Sequence, residues 1–547
     1  MMKKGMKKSG FVVGAFIATV GIVLTKILGI VYVIPFHAMI GDQGGALYGY
    51  AYTIYVLFMA LSSLGIPLAI SRLVSEYQAL GYYSAKKRVF VLGKKIAMIL
   101  GVISFLVLIL FAPMIARFIL GDLTGGNTIE DVTFVIRIIA TALLVVPVVS
   151  IYRGYFEGHR FMSAPSVSQV LEQFVRVVII ILGSFMMIRV FHLSIRSAVG
   201  VAVFGATVGA IAAYFYLVFK KRKNQSKFQE KIRDVNEPII TNKQIVRKLI
   251  IYAIPFVVID IFKSLYNYID MVTVVEGLVE HANFTVHDAE TVMGMLSTWG
   301  SKFNMILLAI SSGIIVSLIP NLTQSVTLKK EGDVHHKINQ ALSILLFFTL
   351  PMTLGISFLS DYIWMLFYGS STYGASLLSY YIFVGFILGL FTALLSIIEV
   401  LKDYKTLFIS LVVGVLLKLL LNDNLLVAFY QMGLPAYYGV ITASILGYFA
   451  SCLICLVRLK VHFKVRYEAT VKNFIDILCG SMIMALVLFV LRMILPSDFS
   501  RLGAFFYLIC YVFIGAGCYF LVMYWMKSIQ RIFGGKVFQF LKKKVTK

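Results

Sequence analysis

The sequence predicts an all-α polytopic membrane protein of about fourteen spans, and three observations carry that prediction. Of its 547 residues 60% are hydrophobic, with a mean hydropathy of +0.91, a composition that water-soluble chains of this length do not have. Apolar runs of about 20 residues recur along the chain, each long enough to cross a hydrocarbon core of roughly 30 Å as a helix. The 50 Lys and Arg outnumber the 25 Asp and Glu, and most of them sit in short segments between the runs.

Taken in order, the expected spans cover 11–37, 46–70, 95–116, 132–152, 165–188, 195–219, 249–275, 293–320, 338–360, 375–399, 405–421, 434–457, 472–494 and 502–526. The first is expected to stay in the mature chain, because no A-x-A-like cleavage site follows its apolar stretch. Cytoplasmic loops retain positive charge. With the N-terminus inside, only Arg117, Arg189, Arg196, Arg492 and Arg501 fall in outside segments, so both termini are expected to be cytoplasmic.

The polar, basic stretch 220–248 follows the sixth span and reads as a linker between an N-lobe (1–219) and a C-lobe (249–457), six spans each. Two lobes of equal topology form a parallel repeat about an axis normal to the membrane. "SSLGIPLAISRLVSE" (62–76) and "SSGIIVSLIPNLTQS" (311–325) end spans two and eight alike. Residues 458–526 then hold an appended pair of spans, and 527–547 a basic tail with the aromatic spacing of a surface-lying amphipathic segment. Retention of charge on the inside would explain that tail equally well.

The net charge of +25 lies beside apolar spans and forms no basic domain. Its expected counterpart is therefore anionic lipid headgroups rather than nucleic acid. All five cysteines fall inside expected spans, which argues against a disulfide framework; Cys452 and Cys455 form a CxxC that reads as small packing residues. His281 and His287 are too loosely spaced for a metal site. No phosphate-binding glycine loop beside a strand points to ATP, and the outside loops are too short for a catalytic domain. The sequence thus reads as a transporter rather than an enzyme, with no cofactor, and nothing requires more than a monomer.

Ionisable groups within spans cost about 2.5–3.5 kcal/mol each unless they face a partner or a wet cavity. Those at depth are Lys26, Glu172, Arg176, Asp260, Lys263 and Lys302; Arg137, Asp270, Glu399 and Lys418 lie nearer span ends, within reach of the interface. Glu172 and Arg176 share a helix face and can neutralise each other. Asp260 and Lys263 can do likewise, and with Asn267 and Asp270 they form one polar stripe on span seven that is expected to line a cavity. Pro255, a turn earlier, frees carbonyls near Asp260, which makes Asp260, with Asn267 and Glu172, a candidate Na⁺ or H⁺ coupling site.

Lys26 and Lys302 have no carboxylate three or four residues away on their own helices. Their partners are either acidic side chains of other spans or an anionic ligand entering a water-filled cavity. The excess of cations at depth favours an anionic substrate met by Lys26, Lys302, Lys263 and Arg176.

"TKILGIVYVIPF", "GALYGYAYTIY", "GIPLAISRLVSEY" and "WGSKFNMILLAISSGIIVSLIPNL", in this order and spacing, resemble the MurJ/YtgP-type flippases of the multidrug/oligosaccharidyl-lipid/polysaccharide exporter superfamily along essentially the whole chain. The resemblance implies translocation of lipid II, the undecaprenyl-pyrophosphate-linked peptidoglycan precursor, across a bacterial plasma membrane by alternating access. Lys26 then matches the cation of span one and Lys302 that of span eight, both meeting pyrophosphate, and spans thirteen and fourteen match a groove for the lipid tail. Related exporters move teichoic-acid, capsule or spore-cortex precursors, and a cation-coupled drug antiporter belongs to the same superfamily. Those are the alternative expectations.

Overall fold

The computed structural model describes residues 24–121, 123–224, 238–494 and 500–533. The basic N-terminal tail, the first part of expected span one, the middle of the 220–248 linker and the end of the C-terminal tail lie outside the described residues. Among those described, the secondary structure is helical, without strands. Eleven helices in this set are long and apolar enough to cross a membrane.

The chain divides into two compact units, Met1–Thr298 and Trp299–Lys547. In the first, a helical stretch at 24–31 leads into α1 (Val33–Met59) and a π-helical turn (Ala60–Leu64). There follow α2 (Gly65–Leu80), α3 (Tyr83–Leu120), α4 (Ile129–Ala140), α5 (Val146–Gly158), α6 (Ser163–Val178), α7 (Ile195–Lys223), α8 (Asn242–Ala282) and α9 (Val286–Gly294). The first compact unit extends to Thr298, and within it α8 packs onto α2. Gly65 brings them so close that a Cβ there would lie 2.5 Å from the Ala253 carbonyl oxygen, and Lys248 pairs with Glu76 at 3.0 Å.

Local chemistry sets these boundaries. Thr128 and Thr241 each close a capping box, with Asp131 and Gln244, satisfying the amides that open α4 and α8. Gly41 sits at φ +64°, ψ −166° inside α1, a conformation side chains exclude, so the chain bends there between the first two expected spans. One continuous core seam joins α2, α3, α5, α7 and α8 through residues such as Ile70, Leu73, Tyr77, Phe90, Phe156 and Leu249. The opposite side of α3 exposes Ile99, Ile103, Leu110, Met114 and Phe118. Such a face is stable only against hydrocarbon.

The second unit comprises α10 (Ser301–Thr327), α11 (Glu331–Phe358), α12 (Ser360–Tyr368), α13 (Gly374–Val400), α14 (Tyr404–Gln431), α15 (Tyr437–Val461), α16 (Glu468–Ile494), α17 (Arg501–Trp525) and α18 (Ser528–Phe533). Polar contacts tie its helices where apolar packing alone has little drive in lipid. Ser451 donates to the Ser410 carbonyl at 2.7 Å, joining α15 to α14. Asn473 donates to Ser343 Oγ at 3.0 Å and Tyr519 to the Phe347 carbonyl at 2.9 Å, fixing α16 and α17 to α11.

Candidate functional site

In the first unit, three ionisable side chains from two helices meet. On α6, Arg176 Nη2 donates to Glu172 Oε1 at 2.8 Å, the contact their four-residue spacing allows. From α5, Arg153 Nη2 donates to Glu172 Oε2 at 2.7 Å and its Nε to Ser168 Oγ at 2.9 Å. Two guanidinium groups thus share one carboxylate, and Glu157 of α5 lies within electrostatic reach of Arg153. Only 14–16% of each of the Arg153, Glu172 and Arg176 side chains is exposed, so solvent does little to screen them. Sequence reading missed Arg153, since its expected fourth span stopped at residue 152. An Arg in the apolar run "VPVVSIYRGYF" (146–156) was the signal.

Tyrosines flank this cluster. Tyr48 and Tyr52 stack with ring centroids 5.7 Å apart, Tyr52 and Tyr55 lie at the same separation, and Phe36 packs edge-on to Tyr48 at 5.4 Å. Tyr48, Tyr52 and Tyr55 all lie within electrostatic reach of Arg176. Lys26 stands half-buried on the stretch 24–31. Three residues on, a Cβ at Gly29 would meet Gln173 of α6 at 3.8 Å, so the helix bearing Lys26 runs beside the helix bearing Glu172 and Arg176. Lys26 has interaction partners of its own.

On α8, Asp260 and Lys263 interact electrostatically, and Asp260, Lys263 and Asp270 are half-buried while Asn267 is exposed. The Asp260 carbonyl accepts from Ser264 Oγ at 2.7 Å, one turn past Pro255. π-helical turns, which recur at functional positions, flank these groups: Ala60–Leu64 precedes α2, and Ile179–Gly183 follows the end of α6, starting three residues after Arg176.

In the second unit Lys302 is half-buried in the first turn of α10 and engages neighbouring groups. Lys418, expected near the interface, is instead fully buried: its Nζ donates to Asn422 Oδ1 at 2.7 Å and to the Val440 carbonyl at 3.0 Å. Those acceptors on α14 and α15 supply internally what snorkelling would have drawn from water. An apolar cleft of about 330 Å³ opens between α11, α12, α16 and α17, lined among others by Phe347, Met352, Leu488, Tyr511, Ala516 and Phe520.

Residues 11–326 match the family described as polysaccharide biosynthesis protein. The chain is 32% identical over 540 residues to the lipid II flippase MurJ of Bacillus subtilis (strain 168), covering 97% of this chain and 98% of that one. It is 27% identical to stage V sporulation protein B of the same organism, over 67% of this chain and 68% of the relative. Among solved structures, lipid II flippase MurJ in an inward closed conformation superposes with a TM-score of 0.64 at 16% identity, over 95% of this chain and 99% of that one. An inward-facing multidrug MATE-family transporter gives 0.63 at 11%, over 83% and 99%. At these identities the two structures speak for a common fold.

Proposed function

The chain belongs to the polysaccharide biosynthesis protein family, in its MurJ-type branch, and on that premise we propose that it carries lipid II from the inner to the outer leaflet of the bacterial plasma membrane by alternating access. The observation that carries this reading is the 32% identity, sustained over 97% of the chain, to a lipid II flippase. The chemistry of the first unit supports it. A diphosphate leaving water must exchange its hydration for fixed positive charge, and the Arg153–Glu172–Arg176 cluster holds two guanidinium groups on one shared carboxylate at low exposure.

In this reading Lys26, Lys302, Lys263 and Arg176 meet the pyrophosphate. Lys presents a compact, strongly hydrated charge and so a looser grip than Arg's bidentate fork, which suits a carrier that must release its cargo. Glu172 holds Arg176 in place, and Asp260 with Asn267 takes a coupling Na⁺ or H⁺. The membrane potential is the other source of drive, worth about 2.3 kcal/mol per charge per 100 mV for an anion moving outward. Fourteen spans with both termini cytoplasmic complete the topology, as two six-span lobes and an appended pair. The cleft beside α16 and α17 takes the polyprenyl tail. The protein acts as a monomer, with no nucleic-acid partner.

The test is rescue. In cells depleted of their own flippase, expression of this chain is expected to restore labelled lipid II to the outer leaflet. Failure at normal expression, with restored export of another lipid-linked precursor, would move the assignment to that cargo.

A further inference from the structure

A second cleft, of about 550 Å³, lies on the second unit between α14 and α15, away from the cluster of α11, α12, α16 and α17. Its lining is graded along the helix axes. At the end where α14 begins and α15 stops stand Lys405 and Arg458; beyond them come Ile409 on α14 and Val457, Ile454 and Leu453 on α15. At 1.5 Å rise per residue, Ile409 and Ile454 lie about one turn, roughly 6 Å, deeper than Lys405 and Arg458, while Val457 and Val461 flank Arg458 nearer the mouth. A glycerophosphate and the first methylenes of its acyl chains are separated on that scale.

The charges at the mouth are not consumed by the fold. Asp403 accepts from Arg458 Nε at 2.6 Å and from Thr406 N and Oγ1 at 3.3 and 2.9 Å. Its carboxylate is thereby committed to capping α14 and holding Arg458, and although burial opposes ionisation, these hydrogen bonds keep its pKa below the ordinary value. The ion pair runs through Nε, and the Arg458 side chain is 39% exposed. Lys405 is exposed and has no anionic partner among the described residues. Two cations against one committed anion leave the mouth positive. Exposed Tyr404 beside them, together with exposed Ile409, Leu453, Val457 and Val461, gives the surface an amphipathic edge over a hydrocarbon face.

We propose that this cleft is a binding site for one anionic phospholipid of the adjacent leaflet, its phosphate held by Lys405 and Arg458 and its acyl chains laid along Ile409, Leu453 and Val457. The occupant follows from charge complementarity at the mouth and from an apolar floor that a water-soluble phosphate would leave uncovered. Bound there, the lipid would bridge α14 and α15, whose packing also encloses Lys418.

The experiment is native mass spectrometry of the full chain, titrated with phosphatidylglycerol or phosphatidylcholine. One phosphatidylglycerol is expected to be retained at concentrations where phosphatidylcholine is not. Lys405→Glu should weaken that retention about tenfold, whereas Lys472→Glu, an equal charge change on exposed α16 surface outside the cleft, should leave it unchanged. Leu453→Trp, which fills the floor, should weaken it while the protein stays monodisperse. The proposal is overturned by equal retention of both lipids, by equal effects of the two charge reversals, by displacement of the lipid with millimolar inorganic phosphate, or by a dimer that Leu453→Trp dissociates.

Discussion

Glu172→Gln isolates the electrostatics of the cationic cluster. The carboxylate accepts from Arg176 and Arg153 at 2.8 and 2.7 Å, and all three side chains are too buried for water to replace it. Removing one partner of a buried ion pair costs about 3–5 kcal/mol, because the remaining charges stay desolvated without compensation. At about 2.1 cal/mol/K per residue, a unit spanning Met1–Thr298 unfolds with an entropy of about 0.6 kcal/mol/K, so Tm should fall by about 5–8 °C. The assay is thermal denaturation of the detergent-solubilised chain, followed by the loss of its monomer peak on size exclusion. Arg153→Gln combined with Glu172→Gln removes one of the two stranded cations, so the double variant should melt above Glu172→Gln alone. A single variant within about 1 °C of the wild type, or a double variant whose loss is the sum of the two singles, would refute the shared-carboxylate account.

Three further outcomes follow from particular contacts. Lys418→Ala empties a fully buried site and removes the ammonium that donates to Asn422 Oδ1 and the Val440 carbonyl; at about 2–4 kcal/mol it should lower the Tm of the second unit by about 4–8 °C in the same assay. Glu290 on α9 is buried and accepts from Asn127 N and Nδ2 at 2.8 and 2.9 Å; burial outweighs those hydrogen bonds and raises its carboxyl pKa. A raised folded pKa means that the folded state binds the proton more tightly. The resulting stability is therefore complete below the ordinary carboxylate range and is lost as pH climbs through the folded value. Tm of the wild type should accordingly rise from pH 8 to pH 5 relative to Glu290→Gln, and parallel profiles would sink that assignment. Ala516→Trp, filling the cleft beside α17, should raise the concentration of full-length polyprenyl substrate needed for half-maximal transport several-fold and leave a short-tailed analogue unaffected.

How far the sequence anticipated this molecule depends on whether a feature is local or tertiary. Apolar run length and capping residues are local. Helices such as Gly374–Val400 and Tyr437–Val461 therefore fall almost where the spans 375–399 and 434–457 were expected, and the Glu172–Arg176 contact follows from spacing alone. Which helix meets which is not local. The third member of that cluster, Arg153, arrives from α5 across a turn. Lys418 finds acceptors on a neighbouring helix that no count of distance from the span end could supply. The placement of α8 in the first unit rests on the Gly65–Ala253 approach and the Lys248–Glu76 pair, both contacts between segments more than 150 residues apart. Gly41 was visible as a residue, but the bend it makes was not, because glycine permits positive φ without demanding it.

The most direct measurement reconstitutes the purified chain in liposomes with fluorescent lipid II and follows its arrival in the far leaflet under an imposed membrane potential. The comparison sets wild type against Lys26→Ala and Lys302→Ala at matched protein content. If these lysines neutralise a pyrophosphate in transit, wild type should raise far-leaflet lipid II well above protein-free liposomes, and each variant should lose at least about tenfold of that rate, the cost of roughly 1.4 kcal/mol or more of lost stabilisation in transit. Wild type no faster than protein-free liposomes, or variants as fast as wild type, would contradict the account.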